Sequence, residues 1–178
     1  LSGPRRFIWE ADDFSLLQSI MELFHGDVNV PVSIHNALKK ICEYFSVEQA
    51  LISEYQLKQE LACITYSYTE SESPQLVQTV LVQPLDMVKG YDDLFNEHGI
   101  FCTNDLEIVN GKCPYVYNSL KYSGIKSMVN IAFTEKEKFL GFLSVNDFKS
   151  ARVWTDNELH LLKAITSFLH HVIINYNR

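Results

Sequence analysis

Residues 141–165 read GFLSVNDFKSARVWTDNELHLLKAI, and this stretch decides the fold of the 178-residue chain. It joins a glycine-containing strand to a long apolar helix through a short loop that contains Arg152 and Trp154. Thr155 followed by Glu158 forms a capping box, in which each side chain bonds to a backbone N–H at the start of the helix. A strand, an Arg/Trp loop and a capped helix occur in this order in few folds.

Two helices are expected ahead of any strand. Apolar residues recur at intervals of three and four over residues 14–24 and again over residues 34–45, which is typical of amphipathic helices. Asp12 or Asp13 is expected to cap the first helix, and Gly26 to end it.

Alternating residues predict a sheet made largely of hairpins. Residues 49–55 and 61–68 alternate on either side of a short connection, and residues 126–134 and 138–148 do the same around a three-residue turn. Shorter elements are expected between the two hairpins, namely an extended segment at 77–82, a helix at 85–96 interrupted by Gly90, a strand at 100–103 and a helix at 115–122. The predicted fold class is α+β.

Composition limits the partners. The formal charge is −7 and the 15 basic residues are scattered, so a nucleic-acid-binding surface is not expected. No apolar run reaches the roughly 18 to 20 residues of a membrane span, so no membrane contact is expected. The cysteines lack the spacing of zinc sites or disulfide frameworks, which favours reduced thiols in the cytoplasm and no metal site. These are Cys42, Cys63, Cys102 and Cys113.

Four short motifs give the chain a family resemblance. They are GIFC at 99–102, GIKSM at 124–128, FLGF at 139–142 and RVWT at 152–155. With the order helix, helix, hairpin, variable middle, hairpin, helix, the chain resembles a GAF domain. It resembles more narrowly the sensory GAF domains that precede diguanylate cyclase (GGDEF) or histidine-kinase output domains in bacterial signalling proteins.

This resemblance implies a domain organisation. Residues 1–13 are expected to form a linker or lead-in, and residues 14–178 a single GAF-like sensory domain cut from a longer protein. The four motifs are structural, because Gly141 permits a close approach between strands, Trp154 seals the junction of sheet and helix, and Thr155 caps. No residue is predicted to be catalytic, so this piece is not expected to be an enzyme.

The resemblance also implies a central antiparallel sheet with the N- and C-terminal helices on one face and a small-molecule pocket on the other, covered by short helices and loops. Ser127, Val129, Ile131 and Phe133 are expected to face the terminal helices. A few polar groups converging in an apolar cleft are typical of a ligand site. The predicted pocket residues are Tyr66, Tyr68, Phe101, Tyr117, Met128, Asn130, Phe142, Ser144 and Asn146. The alternative is that the polar groups satisfy one another, or ordered water, under a collapsed lid.

The identity of the ligand stays open, and no cofactor is assigned. Bilin-binding relatives attach their chromophore through a cysteine in the segment that here contains Cys113 and Pro114, but Pro114 replaces the usual histidine. The residue pattern of cyclic-nucleotide-binding GAF domains is not found. Free methionine sulfoxide reductases of this fold need attacking and resolving cysteines, a requirement that the spacing of Cys63, Cys102 and Cys113 does not meet.

The last helix has two apolar faces, which indicates two packing partners. One face is expected to pack on the sheet and the other on a second copy of the chain, giving a homodimer through Leu161, Phe168, Ile174, Leu16 and Ile20. The alternative is deeper burial within one chain. Ligand binding is expected to change the arrangement of the paired helices and so control an output domain, expected to be a diguanylate cyclase. A ligand-free structural dimerisation module is the competing hypothesis.

Overall fold

The computed structural model describes residues 8–70 and 81–178. The helices are α1 (Ala11–Glu22), α2 (Val30–Phe45), α3 (Glu107–Asn110), α4 (Pro114–Ser123) and α5 (Asp156–Tyr176). The strands are β1 (Gln49–Gln56), β2 (Leu61–Thr69), β3 (Val82–Pro84), β4 (Ile100–Thr103), β5 (Ser127–Glu135) and β6 (Lys138–Asp147). Both predicted hairpins and the α+β class are confirmed.

The middle of the chain is less regular than its sequence predicts. Two 3-10 turns, Leu85–Val88 and Asp92–Leu94, replace the single helix expected at 85–96. Gly90 separates them with a φ of +91°, a conformation that ends any continuous helix. The extended segment predicted at 77–82 lies mainly outside the described residues, and its last residue begins β3.

The described strands form one antiparallel sheet in the order β3-β2-β1-β6-β5-β4. Helices α1, α2 and α5 share one hydrophobic core with a single face of this sheet. Val129, Ile131 and Phe133 of β5 lie in that core, as predicted, because alternate residues of a strand point to the same side.

Capping fixes where the first and last helices begin. At α5 the Thr155 hydroxyl accepts from the Glu158 N–H (3.2 Å) and the Glu158 carboxylate accepts from the Thr155 N–H (3.0 Å), which confirms the predicted capping box. The prediction that Asp12 or Asp13 is the N-cap of α1 is wrong. Glu10 occupies that position, and the Asp13 carboxylate accepts from its N–H (2.8 Å). Helix α1 ends at Glu22, and Gly26 lies in the following turn.

The RVWT motif joins the end of α2 to the start of α5. The Arg152 guanidinium lies 4.1 Å from the centroid of the Trp154 ring and donates hydrogen bonds to the Phe45 carbonyl and the Glu158 carboxylate. Trp154 packs edge-to-face on Phe45, with ring centroids 5.5 Å apart. This motif is therefore structural, as expected.

Gly141 lies where the backbones of β1 and β6 approach each other closely. Its φ is +129°, and a Cβ added there would lie 2.0 Å from the backbone oxygen of Ser53. A side chain at this position would have to push β1 away from β6, so the expected close approach of strands at this glycine is confirmed.

The second apolar face of α5 is covered by α1 of the same chain. Leu16, Ile20 and Leu161 are 7%, 0% and 1% exposed, so the prediction that they lie in a dimer interface is wrong. The rings of Phe24 and Phe168 contact each other at 5.5 Å, and both Phe168 and Ile174 are half-buried. The alternative of deeper burial within one chain therefore accounts for three of the five predicted interface residues.

Trp9 lies ahead of α1 and packs against the helix-side core, so the folded unit includes this residue before α1 begins at Ala11. Among residues 8–70 and 81–178, no helix is long and apolar enough to cross a membrane.

Candidate functional site

A cavity of about 610 Å³ lies on the face of the sheet opposite the terminal helices. Strands β1, β2 and β6 form its floor, and α4 together with the first 3-10 turn forms its cover. Its volume is within the range of roughly 300 to 1,000 Å³ of small-molecule sites. The floor residues are Gln49, Leu51, Ser53, Tyr55, Ala62, Ile64, Phe142, Ser144 and Asn146, and the main cover residues are Val88, Tyr91, Tyr115, Val116, Leu120 and Ile125.

Three of the predicted pocket residues, Phe142, Ser144 and Asn146, line this cavity. They alternate along β6 and therefore project from the same face of the sheet. The prediction of a polar floor on the side of β6 away from the terminal helices agrees with the structure at these positions.

Tyr66 and Tyr68 lie on the other side of the sheet, so the prediction that they line the pocket is wrong. The pairing of β1 with β2 shifts register between Ile52 and Ser53, which leaves Thr65 as an extra residue on β2. A β-bulge of this kind reverses the alternation beyond it. Tyr66 and Tyr68 consequently pack with the helix-side core, whereas Ile64 and Ala62 line the cavity.

Phe101, Met128 and Asn130 are on the predicted face of the sheet and Tyr117 is on α4, but none of the four lines the cavity. They are buried in a second cluster, formed where the middle helices cover β4 and β5, together with Tyr91, Val109, Cys113 and Ile125. The Asn130 amide donates to the Tyr91 hydroxyl, and the Tyr91 ring lies between the second cluster and the cavity. These four side chains support the wall of the cavity from behind.

A chain of neutral hydrogen bonds crosses the floor of the cavity. Ser144 Oγ donates to Asn146 Oδ1 (2.9 Å), Asn146 Nδ2 donates to Gln49 Oε1 (2.8 Å), and Gln49 Nε2 donates to Thr69 Oγ1 (3.3 Å). Each amide has two N–H groups, and this chain uses one on each. The polar groups of the floor therefore hold one another in place and retain unused donors.

Ser53 is a polar floor residue whose side chain has no hydrogen-bonding partner. The residue is 6% exposed and lines the cavity, and its hydroxyl has no hydrogen bond to any described residue. The hydroxyl oxygen is not among the fully buried unpartnered atoms of the described residues, so it is open to the cavity. It can therefore bond to a ligand or a water molecule in the cavity.

The remaining lining is apolar and aromatic. Burial raises the pKa of Tyr55 and of Tyr91, so both phenols are neutral at physiological pH. Among the described lining residues none is Asp, Glu, Lys, Arg or His. The cavity thus offers apolar surface, neutral hydrogen-bonding groups and no formal charge.

The cysteines do not form a reactive group. Cys113 is 2% exposed in the second cluster, with its thiol 3.6 Å from the Met87 carbonyl oxygen, and it is not part of the cavity lining. Cys63 on β2 and Cys102 on β4 are four strands apart, about 19 Å at the usual strand spacing, which is beyond the reach of a disulfide. In the described part of the chain no group of His, Cys, Asp or Glu could hold a metal ion.

A smaller cavity of about 260 Å³ lies near the end of α2 and is lined in part by Tyr68, Glu48 and Lys149. The Glu48 carboxylate accepts from the Phe148 N–H (2.8 Å), and burial raises its pKa. This cavity has little apolar surface and lacks the neutral hydrogen-bond chain of the larger one, which is the candidate site.

Sequence reasoning missed Gln49, Ser53 and Tyr55 as floor residues. The signal was present, because β1 alternates without interruption and Ile52 is clearly apolar, which places the three missed residues on the opposite face. The contributions of α4 and of the 3-10 turn depend on how those segments fold over the sheet, which no local pattern specifies.

The sequence matches no protein-family model and no curated protein. The structure is similar to the GAF domain of an Acinetobacter phosphoenolpyruvate-protein phosphotransferase, with 14% identity and a TM-score of 0.69 over 95% of this chain and 97% of that chain. It is also similar to the phycoerythrobilin-bound GAF domain of a cyanobacterial phytochrome, with 13% identity and a TM-score of 0.71 over 91% and 94%.

The chain has the GAF fold. A third structure agrees, a phycocyanobilin-bound GAF domain of a cyanobacterial phytochrome with 15% identity and a TM-score of 0.71 over 93% of this chain and 95% of that chain. Similarity at this level of identity concerns the fold alone.

Proposed function

We propose that this GAF-fold chain is the sensory domain of a signalling protein and that it binds a small molecule in the 610 Å³ cavity. The observation that carries the proposal is the cavity itself, an apolar space of ligand size with a hydrogen-bonded polar floor and an unpartnered hydroxyl at Ser53. As a sensory domain it performs no catalysis.

Strand β1 offers a route from the cavity to the terminal helices. Ser53 lines the cavity, whereas the preceding residue, Ile52, is buried in the core shared with α1, α2 and α5. A ligand that moved this strand would change packing on both faces of the sheet. Such a signal requires that the ligand bind one arrangement of the helices more tightly than the other.

The output is proposed to be a diguanylate cyclase attached to the sensory domain, with a homodimer formed through the terminal helices. Phe168 and Ile174 are half-buried in the single chain and retain surface for such a contact. We place the domain in the cytoplasm, since all four cysteines are free thiols, the state that a reducing compartment maintains.

The competing hypothesis is a structural dimerisation domain in which the cavity has no ligand. The internal hydrogen bonds of Gln49, Asn146 and Ser144 favour it, because these groups do not require a ligand for their stability. The unpartnered Ser53 hydroxyl favours sensing. A methionine sulfoxide reductase activity is disfavoured by the separation of Cys63 from Cys102, and covalent bilin attachment by the burial of Cys113 away from the cavity.

A thermal-shift screen of a metabolite library tests the proposal. A ligand present at 100 times its Kd stabilises the folded state by about 2.7 kcal/mol. For a chain of this size that corresponds to roughly 5 to 10 °C in Tm. Val116→Trp, which fills the cavity from α4, should abolish the shift, and Val32→Trp, on the exposed face of α2, should not. If no compound in the library raises the Tm, or if every shift persists in Val116→Trp, the sensory proposal is contradicted and the structural hypothesis is favoured.

A further inference from the structure

We infer that the cavity selects an uncharged, largely apolar ligand that carries a neutral oxygen, such as a ketone, amide or hydroxyl, directed at Ser53. The inference rests on the proposed function, since it specifies the ligand class of the same site. Its basis is the chemistry of the lining, which the fold alone does not determine.

An anion would enter this cavity without a counter-charge. The described lining has no Lys, Arg or His, and a buried carboxylate or phosphate without a partner carries a large desolvation penalty. Nearby charge adds to the penalty, because burial and, after it, the negative charge of Asp92 raise the pKa of Tyr55, and the chain as a whole carries a formal charge of −7. Phosphate-bearing and carboxylate-bearing molecules are therefore excluded from the floor.

A cation is also excluded, although aromatic rings are abundant. A cation site needs carboxylates, or ring faces that are open to the ligand. No carboxylate lines the cavity among the described residues. The Phe142 ring contacts those of Tyr91 (centroids 5.3 Å) and Tyr55 (6.5 Å), so these three rings pack on one another as a wall and do not form an open cage.

The polar end of the ligand is placed by the hydroxyl of Ser53. On the floor of the cavity, the side chains of Gln49, Asn146 and Ser144 already bond to one another, whereas the hydroxyl of Ser53 has no hydrogen bond to a described residue. A hydroxyl can donate and accept, so it matches a neutral carbonyl or hydroxyl oxygen. The rest of the ligand would lie against aliphatic lining such as Leu51, Ala62 and Ile64.

Matched fluorescent probes test the charge selection. N-phenyl-1-naphthylamine and 1-anilinonaphthalene-8-sulfonate share one ring frame and differ by a sulfonate. We expect the neutral N-phenyl-1-naphthylamine to bind with a stoichiometry of one per chain. Its Kd should be at least ten times lower than that of the sulfonate. For positive charge, tert-butylbenzene should displace the neutral probe at a concentration at least tenfold lower than its isostere phenyltrimethylammonium.

Variants assign the binding to the cavity. Val116→Trp should abolish binding of the neutral probe, and Val32→Trp should leave it unchanged. Leu120→Trp replaces Val116→Trp if circular dichroism shows that the latter is misfolded. Equal or tighter binding of a charged probe that Val116→Trp blocks would overturn the inference and leave the sensory proposal intact. If no probe binds, or if the probes bind equally well to Val116→Trp and Leu120→Trp, both this inference and the sensory proposal are contradicted.

The neutral ketone probe 6-propionyl-2-dimethylaminonaphthalene tests the role of Ser53. One hydrogen bond is worth about 0.5 to 1.5 kcal/mol, so Ser53→Ala should weaken this probe by about threefold to tenfold. The emission of the bound ketone should shift to the blue, because its carbonyl loses a hydrogen bond. N-phenyl-1-naphthylamine, which has no carbonyl, should change by less than about twofold. An unchanged affinity and emission of the ketone probe would overturn the assignment of Ser53.

Discussion

Gly141→Ala is expected to destabilise the protein strongly, for two reasons that can be separated. The first is the backbone, because a φ of +129° is unfavourable for any residue with a Cβ, at about 1 to 3 kcal/mol. The second is space. The new Cβ would lie 2.0 Å from the Ser53 oxygen and 3.0 Å from the Glu54 Cα, so β1 would have to move by more than about 1 Å.

That movement would weaken the end of the pairing between β1 and β6, where Ser53 lies opposite Phe142 and Glu54 opposite Gly141. The loss of two backbone hydrogen bonds adds about 1 to 3 kcal/mol. The free energy of unfolding should therefore fall by about 2 to 6 kcal/mol in total, a large part of the stability of a typical domain.

Gly26→Ala is the matched control. Gly26 also has a positive φ, +73°, but nothing lies within 4 Å of a Cβ added there. Its cost should be about 1 to 2 kcal/mol, and the effect of alanine on the unfolded chain is common to both variants. Urea denaturation followed by circular dichroism gives both values. A difference between the two variants below about 1 kcal/mol would refute the close-approach argument.

Three further predictions concern single side chains. Ser53→Ala should change the free energy of unfolding of the ligand-free protein by less than about 0.5 kcal/mol in urea denaturation, because the hydroxyl has no partner in the described protein and is open to the cavity. Ser144→Ala should lower it by about 1 to 2 kcal/mol, because Asn146 loses a donor. Stabilisation by Ser144→Ala would contradict this account. Thr155→Ala should lower the free energy of unfolding by about 0.5 to 2 kcal/mol through loss of the cap of α5, seen as a lower Tm, with Thr134→Ala on an exposed strand position as the control. Burial raises the pKa of Glu48, so the folded protein favours the protonated carboxyl, and the stability that this group contributes is lost as the pH rises through that pKa. The free energy of unfolding of Glu48→Gln should therefore exceed that of the parent at pH 7, and the difference should vanish below about pH 4. An equal difference at both pH values would exclude this explanation.

The architecture was readable from sequence wherever the local signal and the tertiary context agreed. The hairpin of β5 and β6 alternates strictly where it meets the helices, so Val129, Ile131 and Phe133 were placed on the correct face. The capping box of Thr155 and Glu158 is a local pattern with one structural meaning. Phe142, Ser144 and Asn146 followed from the same alternation once the GAF resemblance indicated which face carries the pocket.

The errors came from features that are set by packing over distance. The second apolar face of α5, which contains Leu161, predicts an interface with a second chain, because a sequence does not show that α1 folds back onto it. Alternation predicts that Asn130 and Met128 face the pocket, since it identifies a face but not the part of that face that the 3-10 turns and α4 fill. Hydrophobic periodicity predicts that a face of a helix or strand is buried, but it does not identify the element that packs against that face.

The bulge at Thr65 affects the shape of the cavity floor and not its chemistry. Ile64 and Tyr66 pair with the adjacent residues Ser53 and Ile52 of β1, so deleting Thr65 would make Ile64 and Tyr66 neighbours in the chain and leave each of them on its present face. The aliphatic wall formed by Ala62 and Ile64 would stay, whereas the local bend and the stronger twist that a bulge gives a strand would be lost. The loss of one codon would thus change the curvature under a ligand while every contacting side chain stayed the same.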